Sequence, residues 1–524
     1  ARDLYRIVFS VGGTISGEHG DGLSRTAFVR EQYGPLAPVF RQIKSLFDPH
    51  NLMNPGKIVA ADDEAPFRRL RPAAVAAPDT VELHLNWSPQ VVADEAARCN
   101  GCGSCKVNAS PLRMCPFHHL DPMEETAPRA KANAMRHAVA GPLGRGIFAT
   151  DEMRRLTRSC FNCKQCLLEC PTNVNVPQMM IEAKAAHIAA SGLGRRDWVL
   201  SRIHAFGPLG STASLASNWM VAHPAARWFL EKTLGIARRR KLPTFARRSF
   251  LRSAGRALLR TPHSNGAARP VVYFVSDYAN YHDPQLAHAF VRVLEHNGVR
   301  VHVPPEQTGS GMSMISAGDL DAAREIALTN LRALAELARD GCEIVCTEPT
   351  AALCLKHEYP LLLDHPDAAP VAARTIEAGA YLERLHQQGR LKTDFQPLSL
   401  DAGYHLPCHL KALGGSSALL RLLALIPELR VHRIEQGCSG MAGAFGLLQE
   451  NFRTSIRIGW GLISRMRDED LTIGLTECSS CKIQMEQGTP KPTLHPIKLL
   501  ALSYGLMPEI RQKLVPSKNR LVVT

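Results

Sequence analysis

Between Cys160 and Pro171 the chain reads CFNCKQCLLECP: three cysteines at two-residue gaps, a fourth after three more residues, and a closing proline. That spacing wraps one loop and three thiolates around a cubane [4Fe–4S] cluster and gives the fourth thiolate to a neighbouring cluster. An earlier run, Cys99, Cys102, Cys105 and Cys115-Pro116, repeats the pattern with a longer last gap. Exchange of the fourth ligand assigns Cys99, Cys102, Cys105 and Cys170 to one cluster, and Cys160, Cys163, Cys166 and Cys115 to the other. The competing readings are a pair of zinc sites or structural thiols; zinc favours separated Cys-x2-Cys pairs over triplets that end in Cys-Pro. The implied chemistry is one-electron transfer.

Helices must hold such loops. The pattern predicts them over 122–139 and 176–190, the second with Pro177 in its first turn. Met114, Met123, Met179 and Met180 are expected to pack around the clusters or the core, not to ligate. The whole chain, at 524 residues, suits about three domains. No apolar run approaches the ~18 residues of a membrane span. The fifteen cysteines fall largely in metal spacings, which suits a reducing cytoplasm better than a disulfide-rich secreted protein. No signal peptide stands out, and the first residue, Ala1, reads as mid-domain, so an N-terminal truncation is expected.

The formal charge is +14, and its excess is local: residues 195–262 hold fourteen Lys and Arg against Asp197 and Glu231. Such a stretch suits an anionic membrane surface, an acidic partner protein or nucleic acid, or is simply a solvated helical connector. No nucleic-acid-binding motif accompanies it, which argues against that partner.

At the start of the chain, Tyr5 to Phe9 reads as a strand running into the Gly12-Gly13 turn. Ser16-Gly-Glu-His-Gly-Asp-Gly22 follows, placing Glu18 and His19 among glycines that let the backbone approach a ligand. Leu36, Val39, Phe40, Ile43, Leu46 and Phe47 have helical spacing, Asp48-Pro49 ends that helix, and Asn54-Pro-Gly-Lys57 makes a further turn. ISGEHGDG followed by FDPHNLMNPGKI resembles the C-terminal end of the FAD-linked oxidase family, of the vanillyl-alcohol-oxidase fold. That family includes D-lactate dehydrogenase, glycolate oxidase and D-2-hydroxyglutarate dehydrogenase. The resemblance covers about sixty residues and implies that His19 lies at the flavin face beside a 2-hydroxy acid. It also implies that Glu18 matches a carboxylate binding a divalent metal in some members, and that Asn54 and Lys57 pack near the flavin ring.

Residues 60–80, rich in Ala, Pro and Arg, read as a linker. The two cysteine runs with their helices resemble the iron–sulfur subunits of succinate dehydrogenase and anaerobic glycerol-3-phosphate dehydrogenase. From residue 271 the chain alternates strand and helix: strands at 271–276, 299–303 and 343–347, helices at 284–296 and 320–339. This predicts α/β units with parallel pairing.

Residues 398–505 do the same, and the two stretches form one repeat. Gln307-Thr-Gly-Ser-Gly-Met312 matches Gln436-Gly-Cys-Ser-Gly-Met441, and Thr347-Glu348 matches Thr476-Glu477, both at an offset of 129. At that offset Cys408, Cys438, Cys478 and Cys481 stand opposite Ala279, Gly309, Pro349 and Ala352. Four cysteines absent together point to one shared site, read as a third iron–sulfur cluster. Zinc and buried free thiols are the alternatives. YHLPCHLKAL, GCSGMAGAFG and TECSSCKIQM resemble the cysteine-rich domains of heterodisulfide reductase and of the glycolate oxidase iron–sulfur subunit. Those domains usually carry a Cys-Cys pair where this chain has Gly437-Cys438, which argues against a non-cubane cluster. Cys342, Cys346 and Cys354 are expected to be buried small side chains. His405 and His409 are either donors to cluster sulfur or core histidines.

The fold expected is multidomain, α+β and α/β. It comprises an oxidase-domain end at 1–60, a linker at 61–89, a two-cluster ferredoxin module at 90–195 and a basic connector at 196–268. Cysteine-rich repeats follow at 269–396 and 397–510. The order resembles the large bacterial FAD- and iron–sulfur-containing D-2-hydroxyglutarate dehydrogenases. That resemblance implies oxidation of a D-2-hydroxy acid on FAD and electron exit through the clusters to a quinone or carrier protein, in the cytoplasm or peripherally on the inner membrane. A sister oxidase for D-lactate or glycolate, and a non-catalytic electron-relay subunit, are the alternatives.

Overall fold

The first element departs from the strand expected of Tyr5–Phe9: Arg2–Ser10 is a helix. β-Branched and aromatic residues favour a strand locally. Here Tyr5 and Phe9, four apart, stack along one helical face with ring centroids 6.5 Å apart, and Tyr5 meets Phe28 at 4.5 Å. That face closes on Ile15, Phe28 and Val29, so packing overrides propensity. The helix Ala37–Phe47 forms where the apolar spacing places it and stops at Asp48. The computed structural model describes residues 2–59, 82–109, 113–140, 143, 145–259, 269–415, 418–435 and 437–516. It has two compact units, 1–73 and 74–524. Most of the linker expected over 61–89, the end of the basic connector at 260–268, and Gln436 lie outside the described residues.

In the second unit the helices Pro89–Ala97, Pro128–Val139 and Val176–Ser191 surround the cysteine loops. The helix expected from residue 122 begins at Pro128, because Ala127 before it is extended at φ −68°, ψ 144° and the proline suits the first turn. Alanines 93, 96, 132 and 138 share a core with Met114, Met135, Met179 and Met180, and the small side chains let these helices approach closely. Met123, expected in that packing, is exposed. Glu182, buried on the long helix, accepts from the backbone N–H of His84 and Leu85 and from the Trp87 indole, which fixes the incoming chain.

Beyond residue 270 stand two parallel four-stranded sheets. The first has β1 (Val271–Phe274), β2 (Val301–His302), β3 (Ile344–Cys346) and β4 (Thr375–Glu377). The second has β5 (Leu400–Tyr404), β6 (Leu429–Arg433), β7 (Ile473–Leu475) and β8 (Thr493–Leu494). Their orders, β2-β1-β3-β4 and β6-β5-β7-β8, are the same. β1 and β5 start 129 residues apart, as do β3 and β7, the offset read from the sequence. Helices Pro284–His296 and Leu320–Arg339 complete the first repeat. VVYF in β1 is buried throughout, as a strand covered on both faces requires.

The helices Arg195–Ser201, Ile203–Thr212, Ser214–Ala222 and Pro224–Leu234 follow one another between the dicluster region and the sheets. No helix among the described residues is long and apolar enough to cross a membrane.

Candidate functional site

In the loop from Cys160 to Cys166, Asn162 and Lys164 take positive φ of 54° and 62°, so the chain doubles back between successive cysteines. Cys160, Cys163, Cys166 and Cys115 of the earlier run line one cavity of about 360 Å³ of empty space, walled also by Pro116, Lys131, Phe161 and Pro177. Cys99, Cys102 and Cys105 are carried by a loop in which Gly101 and Gly103 both have φ 77°. Cys170 closes the helix Gln165–Glu169, its Sγ 3.4 Å from Thr172 Oγ1.

Burial pushes the thiols of Cys115, Cys163 and Cys166 up, and Lys131 opposes this at Cys115 and Cys166. Lys131 is itself buried, and its Nζ donates to Thr126 O at 2.6 Å. No carboxylate among the described residues pairs with it. A buried ammonium without an anion costs several kcal/mol. A [4Fe–4S]²⁺ core with four thiolates carries a net negative charge and suits this lining. One tetrahedral zinc needs sulfurs about 3.8 Å apart. Among the described residues no three His, Cys, Asp or Glu side chains are placed to hold a single metal ion.

Cys408, Cys438 and Cys481 line a second cavity, of about 260 Å³ of empty space, with Arg113, Gln165, His405 and Ser439. Cys478 completes the group: a hydrogen bond from the Cys481 thiol, then backbone N–H groups of Cys481 and Ser480, pull its thiol below the usual range. Cys408 opens the helix Cys408–Ala412, where burial, then the neighbouring Cys438 and Cys478, push its thiol up, and Cys478 caps Ser479–Met485. The first repeat has no such room. Its counterparts Pro349 and Ala352 are packed in a buried helix, and a Cβ on Gly309 would lie 2.3 Å from the Asp277 carboxylate. Gly437 has φ 35°, a conformation that disfavours a second cysteine beside Cys438.

The two histidines separate. His409 spends both ring nitrogens, Nδ1 on Thr350 Oγ1 and Nε2 on Asn162 O, each at 2.9 Å, and is a structural tie. His405 is buried on the second cavity with Nδ1 unpartnered among the described residues, and burial, then Arg113, holds it neutral with a pKa down to about 3. Cys342, Cys346 and Cys354 are buried.

Sequence reasoning missed how the two cavities meet. Cys163 and Pro116 line both. Gln165 Nε2 donates to Cys163 O at 3.0 Å and to Cys408 O at 3.1 Å, tying one cysteine loop to the other. Arg113 Nη1 donates to Leu406 O at 2.8 Å, and Lys411 pairs with Glu169 at 2.7 Å. Lys164, in the loop itself, makes a buried ion pair with Glu358 of the first repeat at 2.6 Å. No sequence spacing announces these contacts, because they join segments some 200 residues apart.

In the first unit His19 and Glu18 are exposed and pair with each other at 3.2 Å; no third ligand joins Glu18 among the described residues. Lys57 Nζ donates to Asn54 Oδ1 at 3.1 Å, and Asn54 and Gly56 have φ 46° and 78°. The two motifs are joined by Thr26: its hydroxyl donates to Gly22 O and accepts from Ile58 N, both at 2.8 Å. These residues form an open face rather than an enclosed pocket.

Asp48 does more than break a helix. It accepts from Lys44 and from the N–H groups of Leu52 and Met53, and these hold its carboxyl below the usual aspartate range, Lys44 first. Its folded pKa is depressed, so its contribution is present above the ordinary aspartate pKa and lost as pH falls through the folded value. Asp48→Asn should remove that acid-limb dependence in thermal melts followed against pH.

Comparison with known proteins follows the same divisions. Residues 1–58 match the model for FAD linked oxidases, C-terminal domain; 95–174 match the 4Fe-4S dicluster domain; 271–354 and 402–486 each match the cysteine-rich domain. The chain thus carries an FAD linked oxidase C-terminal domain, a 4Fe-4S dicluster domain and a duplicated cysteine-rich domain. One subunit of the anaerobic glycerol-3-phosphate dehydrogenase of Escherichia coli is 29% identical over 63% of this chain and 82% of its own length. The D-2-hydroxyglutarate dehydrogenases of Escherichia coli and Pseudomonas putida are each 23% identical, over 95% and 93% of this chain. The chain spans about half the length of those two relatives, 52% and 51%. The dicluster domain thus abuts the second cysteine-rich domain through Cys163, and Glu358, just past the first cysteine-rich match, adds to the contact.

Proposed function

We propose that this chain serves the oxidation of a D-2-hydroxy acid, D-2-hydroxyglutarate to 2-oxoglutarate by preference, and carries the electrons to a quinone or a carrier protein. When bound, FAD supplies a two-electron acceptor that converts to single-electron steps, and iron–sulfur clusters supply the one-electron carriers. The chain's own residues have separate tasks. The His19 imidazole takes the proton of the substrate hydroxyl, and Glu18 helps hold a divalent cation that orients the substrate carboxylate. Asn54 and Lys57 shape the loop at the flavin ring. Cys99, Cys102, Cys105 and Cys170 hold one cluster, Cys115, Cys160, Cys163 and Cys166 a second, and Cys408, Cys438, Cys478 and Cys481 a third.

The observation that carries this reading is the shared wall at Cys163 between two cysteine-lined cavities, on a chain whose residues 1–58 match an FAD-linked oxidase. A non-catalytic electron relay accounts for the cavities but not for those first residues. Anaerobic flavin bleaching of the full-length holoprotein tests it. Rapid bleaching by D-2-hydroxyglutarate with a slow response to D-lactate supports the proposal. Preference for lactate or glycolate selects the sister oxidase, and absence of flavin leaves the relay.

A further inference from the structure

The helices Ile203–Thr212, Ser214–Ala222 and Pro224–Leu234 are built inside out. Their buried positions are small or polar: Gly207, Ser211, Ser214 and Arg227. A Cβ on Gly207 would stand 2.4 Å from the Tyr281 ring, and one on Gly210 2.4 Å from Phe245, so glycine seats the first helix closely on the protein. Ser211 Oγ donates to Ala246 O at 2.6 Å, and Arg227 donates to Ala237 O and Arg240 O. The outward side carries the large apolar groups. Leu215 is 83% exposed, Leu209 69%, Phe229 59%, Trp219 58% and Trp228 52%. Side chains of this size do not face water without cause when they follow one another along three helices.

We propose that this face seats the protein on the surface of an anionic lipid bilayer. The helices have ten, nine and eleven residues, too short to span the roughly 20 residues a membrane requires, so they lie in its plane. Tryptophan and phenylalanine enter the headgroup boundary, where amphipathic rings are favoured. Exposed Arg195, Arg196, Arg238, Arg247, Arg248 and Arg252 flank these helices in sequence, and Arg252 reaches Thr212 Oγ1 at 2.7 Å. The only acids in 195–259 are Asp197 and Glu231, and Glu231 already accepts from Arg238 N at 2.9 Å. Exposed basic residues bordering these helices along the chain complement anionic headgroups. A second copy is a poorer occupant, because a two-fold contact would set the same positive residues against themselves.

The face is fixed to the cysteine-bearing repeat. Ala237 N donates to Leu447 O at 2.8 Å, Gln449 N to Gly235 O at 2.7 Å, and Arg240 to Gln484, on the helix that carries Cys481. If the electron-transfer reading holds, this brings the third centre toward a lipid-dissolved quinone; the membrane contact itself does not depend on that reading.

The test is co-sedimentation of the holoprotein with vesicles of phosphatidylcholine, with and without phosphatidylglycerol, alongside quenching of tryptophan by brominated lipid. Binding to the anionic vesicles, weakened by salt, is expected. Leu215→Glu with Trp219→Glu should lower it by about tenfold or more with iron content unchanged, and Arg247→Glu with Arg248→Glu should abolish the preference for phosphatidylglycerol. The proposal is overturned by no binding to either vesicle, by binding that the Leu215 and Trp219 pair does not alter, or by self-association that the same pair abolishes. Capture of an acidic carrier protein in place of lipid would also overturn it. None of these readouts uses flavin or substrate, so failure here is separate from failure of the bleaching experiment.

Discussion

Cys163→Ala and Cys438→Ala should each lower the iron content of anaerobically purified protein from about twelve to about eight atoms per chain, and the double variant should hold about four. Cys163 belongs to the quartet at the first cavity and Cys438 to the quartet at the second, so the losses should add. The more telling readout is magnetic. The two cavities share Cys163 and Pro116 as a wall, and paramagnetic centres held there would broaden each other's resonance in the dithionite-reduced protein. Either substitution should remove that broadening and leave the spectrum of the remaining centres sharper. Unchanged iron in Cys438→Ala would mean that Cys408, Cys438, Cys478 and Cys481 are free thiols. Loss of iron without loss of broadening in Cys438→Ala would mean that the coupled pair is the two dicluster centres alone.

The duplication was legible because it rests on short-range signals repeated at one offset. The two Thr-Glu pairs directly follow β3 and β7, GSGM and CSGM lie in the connections after β2 and β6, and β1 with β5 and β3 with β7 start at that offset. Helices 284–296 and 320–339 were equally plain from their apolar spacing and from Pro284 in a first turn. The opening helix was not. Tyr5-Arg-Ile-Val-Phe9 favours a strand on local propensity, and only the seat provided by Phe28, nineteen residues beyond Phe9, makes the helical face the better one.

The candidate ligands were legible from spacing, while their surroundings were not. Nothing in the order of residues places Gln165 between the carbonyls of Cys163 and Cys408, or Arg113 against Leu406 O. His405 and His409 look alike in sequence, yet one closes two hydrogen bonds and the other turns an unpartnered nitrogen among the lining of the second cavity. The basic surplus at 195–262 was visible as a count. That its helices turn their apolar residues outward depends on where Gly207 and Gly210 meet Tyr281 and Phe245, which is tertiary information.

Two buried lysines flank the first cavity, and their contrast yields the prediction with the clearest sign. Lys164 is neutralised by Glu358 at 2.6 Å. Lys131 donates only to Thr126 O and has no carboxylate partner among the described residues, so its charge is free to act on the thiolates of Cys115 and Cys166. Reduction adds an electron to an already anionic cluster, and a nearby cation favours that step. At an effective dielectric of about 20, one unit charge a few ångströms away is worth on the order of 3 kcal/mol, or on the order of 100 mV for a one-electron couple. Lys131→Met should therefore lower the midpoint potential of one cluster by about 100 mV in a redox titration followed by electron paramagnetic resonance, whereas Lys131→Arg should hold it near the parent value. Removing both partners, Lys164→Met with Glu358→Leu, should shift the potential little, because the pair is neutral. Removing Glu358 alone should instead destabilise the fold by about 3–5 kcal/mol, since it strands a buried ammonium. An equal potential shift from the neutral double substitution would mean that packing around the loop, not the charge of Lys131, sets the potential.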